Sequence, residues 1–179
     1  MENKRNIISE SDNSTVLTEY KPLARREISY QSEAELEKNF IKILQEQSYE
    51  YLNINNEKDL IKNLKEKLEK LNKIKFTDKE WEDLFNNIIA NPNDGIIEKT
   101  KKIQEDYKQI LTLENGELRN IYLIDKDNIH NNSVQVINQY EVETDKRKNR
   151  YDVTILVNGF PMVHVELKRR GVELRQAFN

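Results

Sequence analysis

The stretch "RYDVTILVNGFPMVHVELKRRG" (Arg150–Gly171) decides how the chain is read. Two runs rich in β-branched residues flank the turn dipeptide Asn158-Gly159, so the segment predicts a β-hairpin. Alternate residues of a strand share a face. Val153, Ile155 and Val157 form one apolar set and Val163, Val165 and Leu167 another, all at odd positions. Asp152, Thr154, His164, Glu166 and Lys168 are all at even positions. A two-residue Asn158-Gly159 turn by itself would pair odd with even, setting Val153 beside His164 and sending Asp152 and Glu166 to opposite faces. A three-residue loop, or a bulge near Phe160-Pro161, restores odd with odd. Pro161 has no amide hydrogen to give the ladder, so an irregularity belongs there. Burial of the two apolar sets therefore predicts that Asp152 sits across from Glu166, with Lys168 on the same polar face.

Upstream, "RNIYLI" (Arg119–Ile124) and "SVQVINQYEVE" (Ser133–Glu143) read as further strands, with Val134, Val136, Tyr140 and Val142 in even parity. Before Leu111 the period is helical. "SEAELEKNFIKIL" begins with Ser32 and carries Glu35 three residues on, a capping box, followed by an apolar stripe of Leu36, Phe40, Ile43 and Leu44. Leu60, Ile61, Leu64, Leu68 and Leu71 mark a second helix. Thr77 and Glu80 open a third with another capping box, whose stripe is Trp81, Leu84, Phe85, Ile88 and Ile89. A fourth is expected over Ile96–Leu111, with Ile103, Tyr107 and Ile110 inward. Helices first and strands later predict a mixed β-sheet flanked by helices, an α/β chain with an α+β-like order. Residues 1–31 read as an N-terminal arm with a possible short strand at Thr15–Tyr20. Residues 32–179 read as one domain, mainly helical over 32–111 and with strands over 119–168.

The bulk numbers narrow the function. The 179 residues carry a net charge of −3, so any binding to nucleic acid must use a local basic patch and not the overall charge. There is no Cys, which excludes disulfides and Cys-based zinc sites and makes a reducing cytoplasm the simplest home. No run approaches the roughly 18 apolar residues of a membrane span. His130 and His164 are too far apart in sequence to read as a metal pair, and Trp81 and the helix stripes read as core.

Two carboxylates a few ångströms apart repel unless a cation sits between them. Oxygen ligands suit a hard cation such as Mg²⁺, which lowers the pKa of its water and stabilises charge on a phosphoryl oxygen. A lysine pointing to the same place can orient that water. Asp152, Glu166 and Lys168 thus carry the residue types of metal-dependent phosphodiester cleavage. The competing reading is an exposed strand face with ordinary salt bridges. Lys146, Arg147, Lys148 and Arg150 on one side of the hairpin, and Arg169 and Arg170 on the other, are candidate phosphate contacts.

An Asp on one strand and Glu-Leu-Lys on the next resemble the PD-(D/E)xK nuclease motif. The surrounding "NRYDVTILVNGFPMVHVELKRRGVELRQAFN" resembles the endonuclease region of the R (restriction, or motor) subunit of type I restriction-modification enzymes. "LTEYKPL", "SEAELEKNFIKIL" and "YLIDKDNIHNNSVQVINQYEVE" are similar to other parts of that subunit's N-terminal region. The resemblance implies a restriction-endonuclease-like core in which Asp152 and Glu166 bind Mg²⁺, the carbonyl of Leu167 adds a ligand, and Lys168 assists the attacking water. It implies a further metal-binding Glu on the first helix, Glu37 or Glu33, with Glu37 preferred. It also implies double-stranded DNA as substrate, with modification and specificity subunits as partners.

The family subunit continues into ATP-driven motor domains. This chain has no G-x-x-x-x-G-K-[ST] phosphate loop, so ATP is expected only outside it. Of the family's Gln-x-x-x-Tyr element, Gln176 is present but no Tyr follows. The chain is therefore expected to be an amino-terminal portion, its core incomplete on the C-terminal side. The alternative is a catalytically incomplete docking or DNA-contacting module of the same complex.

Overall fold

The structure, a computed structural model, describes the backbone of residues 5–11, 14–19, 32–144 and 147–168, with side chains over 32–141 and 150–168. The chain divides into two compact units, Met1–Ser32 and Glu33–Asn179. In the first, β1 (Arg5–Ser11) pairs antiparallel with β2 (Ser14–Glu19), with a register shift between Ile7 and Ser9. The expected Thr15–Tyr20 strand corresponds to β2 through Glu19; Tyr20 lies outside the described residues.

The second unit is mixed α/β. Its elements run α1 (Glu33–Glu46), β3 (Glu50–Tyr51), α2 (Glu57–Asn72), α3 (Asp78–Glu82), a π-helical turn (Asp83–Ile89) and α4 (Ile96–Gln104). Then come β4 (Lys108–Thr112), β5 (Leu118–Tyr122), β6 (Val134–Thr144), β7 (Arg147–Val157) and β8 (Phe160–Val165). One sheet has the order β3-β6-β7-β8, with β3 parallel to β6 and the other pairs antiparallel. The expected mixed sheet is thus present.

Helices cover both faces of that sheet. Val136 and Val153 face α1, where they bury Leu44 against Phe40, Ile41 and Tyr49. Ile137 and Leu156, one residue out of phase, face the other way and pack with Leu60 of α2, Leu52 and Ile54. A larger core joins Leu64 and Leu68 of α2 to Phe76, Leu84, Leu111, Ile121, Leu123 and Phe160. Trp81 packs against this core and stacks on Phe85 at 5.5 Å. Burial of these side chains is the main stabilising term, at about 25 cal/mol per Å² of apolar surface removed from water.

The local signals for α3 are realised. Thr77 accepts the Glu80 amide at 3.2 Å while the Glu80 carboxylate accepts the Thr77 amide at 2.9 Å. Glu80 also accepts the Glu114 amide at 3.0 Å, tying the start of α3 to the β4–β5 connection. Three expectations are corrected. The fourth helix stops at Gln104, and Lys108–Thr112 is a strand paired with Leu118–Tyr122. Ile110 accordingly points outward, 63% exposed, because its neighbour Leu111 takes the core side of the strand. On α1, Ile43 is exposed and Ile41 takes its place in the core.

Candidate functional site

The hairpin has both features weighed from parity. Asn158 (φ 50°) and Gly159 (φ 85°) make a two-residue turn of the kind that matches strand twist, pairing Val157 with Phe160 and Leu156 with Pro161. The register then shifts by one residue. Met162 is bulged out, and the ladder resumes as Ile155↔Val163, Thr154↔His164 and Val153↔Val165. Odd therefore pairs with odd beyond the bulge.

The turn is buried, which its Asn-Gly dipeptide does not advertise. Asn158 has no exposed surface. Its amide nitrogen donates to the Leu123 carbonyl at 3.1 Å and to Asn132 Oδ1 at 2.7 Å, and its Oδ1 accepts the Ser133 amide at 2.8 Å. Gly159 lies against α2 so closely that a Cβ there would sit 2.6 Å from the Leu64 Cα. The closed end of the hairpin is thus anchored to α2 and to the segment before β6, and this anchorage holds the register of everything toward its open end.

At the open end β8 finishes at Val165, and Glu166, Leu167 and Lys168 follow as irregular backbone. Asp152 Oδ2 accepts the Leu167 amide at 2.8 Å, and the Leu167 side chain packs with Val136, Val153 and Leu44. The apolar anchor and the carboxylate together fix the segment that carries Glu166 and Lys168. Lys168 Nζ donates to Glu166 Oε1 at 2.5 Å. The hydrogen bond to Glu166 raises the proton affinity of Lys168 above the ordinary lysine range, against the opposing effect of burial. The charges of Glu166, Glu33 and Asp152 add to it. Lys168 is therefore an ammonium at neutral pH. It lies in a field made by carboxylates from α1, β7 and the segment after β8.

Glu37 is held differently. Asn138 Nδ2 and Gln139 Nε2 donate to its two oxygens at 2.6 and 2.5 Å. Consecutive strand residues normally point to opposite faces, but Gln139 has φ 54°, a left-handed conformation that turns both amides onto one carboxylate. This position falls opposite Asp152, between the Asn138↔Val153 and Tyr140↔Tyr151 pairs. It also breaks the even parity expected for this strand. Val136 packs toward α1, whereas Tyr140 packs with Ile137 and Leu156. Of the two first-helix candidates, Glu33 is the one whose charge acts on Lys168.

His164 is the site neighbour with the most constrained ring. Its Nδ1 lies 2.9 Å from Oγ1 of the fully buried Thr154, and the ring stacks on Tyr151 at 4.0 Å and 15°. Partial desolvation of this exposed edge-strand ring holds its pKa below the ordinary histidine range. Of the candidate phosphate contacts, Arg150 is exposed on β7 opposite Glu141. The side chains of Arg147 and Lys148 lie outside the described residues, as do Lys146, Arg169, Arg170 and Gln176 altogether.

Among the described residues, no three His, Cys, Asp or Glu side chains are grouped so as to hold a metal ion. Mg²⁺ asks for less, because it keeps several waters and takes one or two carboxylates plus substrate phosphate. Asp152 and Glu166, with an ammonium already drawn between acids, fit that demand in donor type and in field. No helix among the described residues is long and apolar enough to cross a membrane.

Residues 30–179 match the family model of the type I restriction enzyme R protein N terminus. The chain is 46% identical over 173 residues to the type I restriction enzyme EcoprrI endonuclease subunit of Escherichia coli, covering 96% of this chain and 55% of that one. It is 38% identical over 157 residues to the SsaAORF53P endonuclease subunit of Staphylococcus saprophyticus, covering 84% of this chain and 16% of that one. It is also 38% identical over 159 residues to the SauCOLORF180P endonuclease subunit of Staphylococcus aureus, covering 85% and 16%. The chain thus spans about half the length of the first relative and a smaller share of the others. With a family model matched over most of its length and the three relatives above each named as a type I restriction enzyme endonuclease subunit, this chain belongs to the family of the type I restriction enzyme R protein N terminus.

Proposed function

We propose that this chain forms the DNA-cleaving part of a type I restriction R subunit, built on a PD-(D/E)xK-type core and acting in the cytoplasm on foreign double-stranded DNA. Its partners would be the modification and specificity subunits, with ATP used by motor domains elsewhere in the subunit. The observation that carries the reading is the Met162 bulge. With it, Asp152 reaches the backbone of Leu167, between Glu166 and Lys168, and the charged side chains gather at one end of the hairpin.

In this reading Asp152 and Glu166 hold Mg²⁺, with the Leu167 carbonyl as a further ligand. Bound there, the ion supplies an activated water and neutralises charge on the scissile phosphate. Asp152 keeps one oxygen on the Leu167 amide and offers the other. Lys168, charged at neutral pH, acts as a cationic donor that orients the water and not as the base that deprotonates it. The charge of Glu33 sets the field from the helix side. Glu37, already clamped by two amides, is the alternative first-helix acceptor. Arg150, with Lys146, Arg147, Lys148, Arg169 and Arg170, would track the DNA backbone.

The absence of a three-ligand cluster among the described residues favours a second reading, a docking or DNA-contacting module with an incomplete site. One experiment separates the two. Glu166→Ala, Asp152→Ala or Lys168→Ala is placed in an R subunit carrying this sequence, and plasmid cutting and ATP turnover are followed in the same tube. Cleavage should fall by at least on the order of 10²–10³ while ATP turnover persists. Cutting at the unaltered rate, or joint loss of both activities, would favour the module.

A further inference from the structure

The Thr154–His164–Tyr151 arrangement is more elaborate than stability requires. Thr154 has no exposed surface and sits in a sheet position where Val would pack, yet its hydroxyl is matched by the imidazole of an exposed edge-strand residue. Replacing both partners of such a bond with apolar groups of similar shape is close to neutral, so the pair adds little that apolar packing could not supply. What it does supply is orientation. The 2.9 Å contact at Nδ1 fixes the rotation of the ring, and the stack on Tyr151, 4.0 Å away and 15° from parallel, fixes its plane. Nε2 is then the ring nitrogen left for a ligand. When Thr154 donates to Nδ1, the neutral ring carries its proton on Nε2 and presents one aimed donor.

The placement matches the proposed site. His164 pairs with Thr154, two residues from Asp152 on β7, and lies two residues before Glu166 in the chain. Two strand residues span about 7 Å. We propose that His164 contacts the phosphate backbone of the DNA beside the scissile position, Nε2 donating to a non-bridging oxygen, with Thr154 as the positioning residue and Tyr151 as the plate that sets the ring plane. This inference rests on the nuclease reading above.

The test uses the full chain, a short fluorescent duplex and Ca²⁺ in place of Mg²⁺, so that binding is read without cutting. The substitutions separate the two ring nitrogens. A Gln amide reaches to the Nε2 position, whereas an Asn amide reaches only to Nδ1. His164→Asn should weaken duplex binding about tenfold, the size of one lost hydrogen bond to a charged group, and His164→Gln should stay within about threefold of the unaltered chain. Thr154→Val should weaken binding and Thr154→Ser should restore it. Equal binding by His164→Asn and the unaltered chain would overturn the contact. So would equal weakening by Asn and Gln, which marks a structural role, or no duplex binding by the unaltered chain at low salt. The nuclease reading is checked apart from this by cutting with Asp152→Asn. If Asp152→Asn abolishes cutting while His164→Asn binds normally, the site stands and the His164 contact falls.

Discussion

The two ends of one hairpin use polar residues in opposite ways. At the closed end, Asn158 is fully buried, every bond of its side chain is made to the fold, and Gly159 touches α2. At the open end, Lys168 bonds Glu166 and Asp152 holds the Leu167 amide between them, in partial contact with solvent. Buried polar groups with complete hydrogen bonding specify a single arrangement. Charges left facing each other at the surface add little to stability, and they supply a field. The tip fixes the register, and in the nuclease reading proposed above the mouth uses it.

The largest effects on folding should therefore come from the tip. Gly159→Ala asks a Cβ to overlap the Leu64 backbone at φ 85°, and should cost about 2–5 kcal/mol in denaturant unfolding. Asn158→Ala strands the Leu123 carbonyl and the Ser133 amide and should cost about 3 kcal/mol or more. A loss below about 1 kcal/mol for either would erase the contrast between the two ends.

Glu80→Ala comes next, at about 1–3 kcal/mol, because it leaves the amides of Thr77 and Glu114 without their acceptor. Those amides, Glu114 first, hold the Glu80 pKa below the ordinary glutamate value. Its contribution is therefore full above that ordinary value and is lost as pH falls through the lowered folded value. An acid unfolding series should show this acid-side loss in the unaltered chain and not in Glu80→Ala.

At the mouth the expected effect is on ligands. Lys168→Met removes the ammonium from Glu166, so divalent-ion binding should hold or tighten while cutting is lost. Weaker binding of the ion in Lys168→Met would show that the lysine supports the metal and does not compete with it. The smallest effect is the pH response of His164. With its pKa lowered by partial desolvation, the unfolded chain binds the proton more readily, so stability should fall slightly as pH drops below about 6.5, the free imidazole value. His164→Gln should flatten that slope in a thermal-melt series.

Much of this was legible in the chain because it is local. The Thr77/Glu80 box and the α2 stripe act over a few residues, and each is realised; the odd–even pattern of the hairpin holds for pairing beyond the bulge but not for burial throughout, since Val163 is 47% exposed and Thr154 of the polar set is fully buried. The boundary at Gln104 was not. Ile103, Tyr107 and Ile110 keep helical spacing, and only pairing with Leu118–Tyr122, far along the chain, turns Lys108–Thr112 into a strand. Asn158-Gly159 announces a turn, but its burial depends on α2 and Asn132. The left-handed Gln139 carries no residue signal, since Gln does not favour that conformation. At the proposed site, residue type pointed to Asp152, Glu166 and Lys168, and the structure brings Asp152 to the Leu167 amide between the other two. The contribution of Glu33, more than one hundred residues away in sequence, is a property of the folded field.

The division of labour is tested most directly by titrating Mn²⁺ into the unaltered chain and into an Asp152→Asn/Glu166→Gln variant by calorimetry, with a thermal melt of each sample. These substitutions keep acceptors in place for the Leu167 amide and the Lys168 ammonium while removing both charges. Weak saturable binding to the unaltered chain, loss of that binding in the variant, and melting temperatures within a few degrees of each other are expected. Equal Mn²⁺ binding by the two proteins, or a collapse of the variant's melting temperature to that of Gly159→Ala, would contradict this expectation.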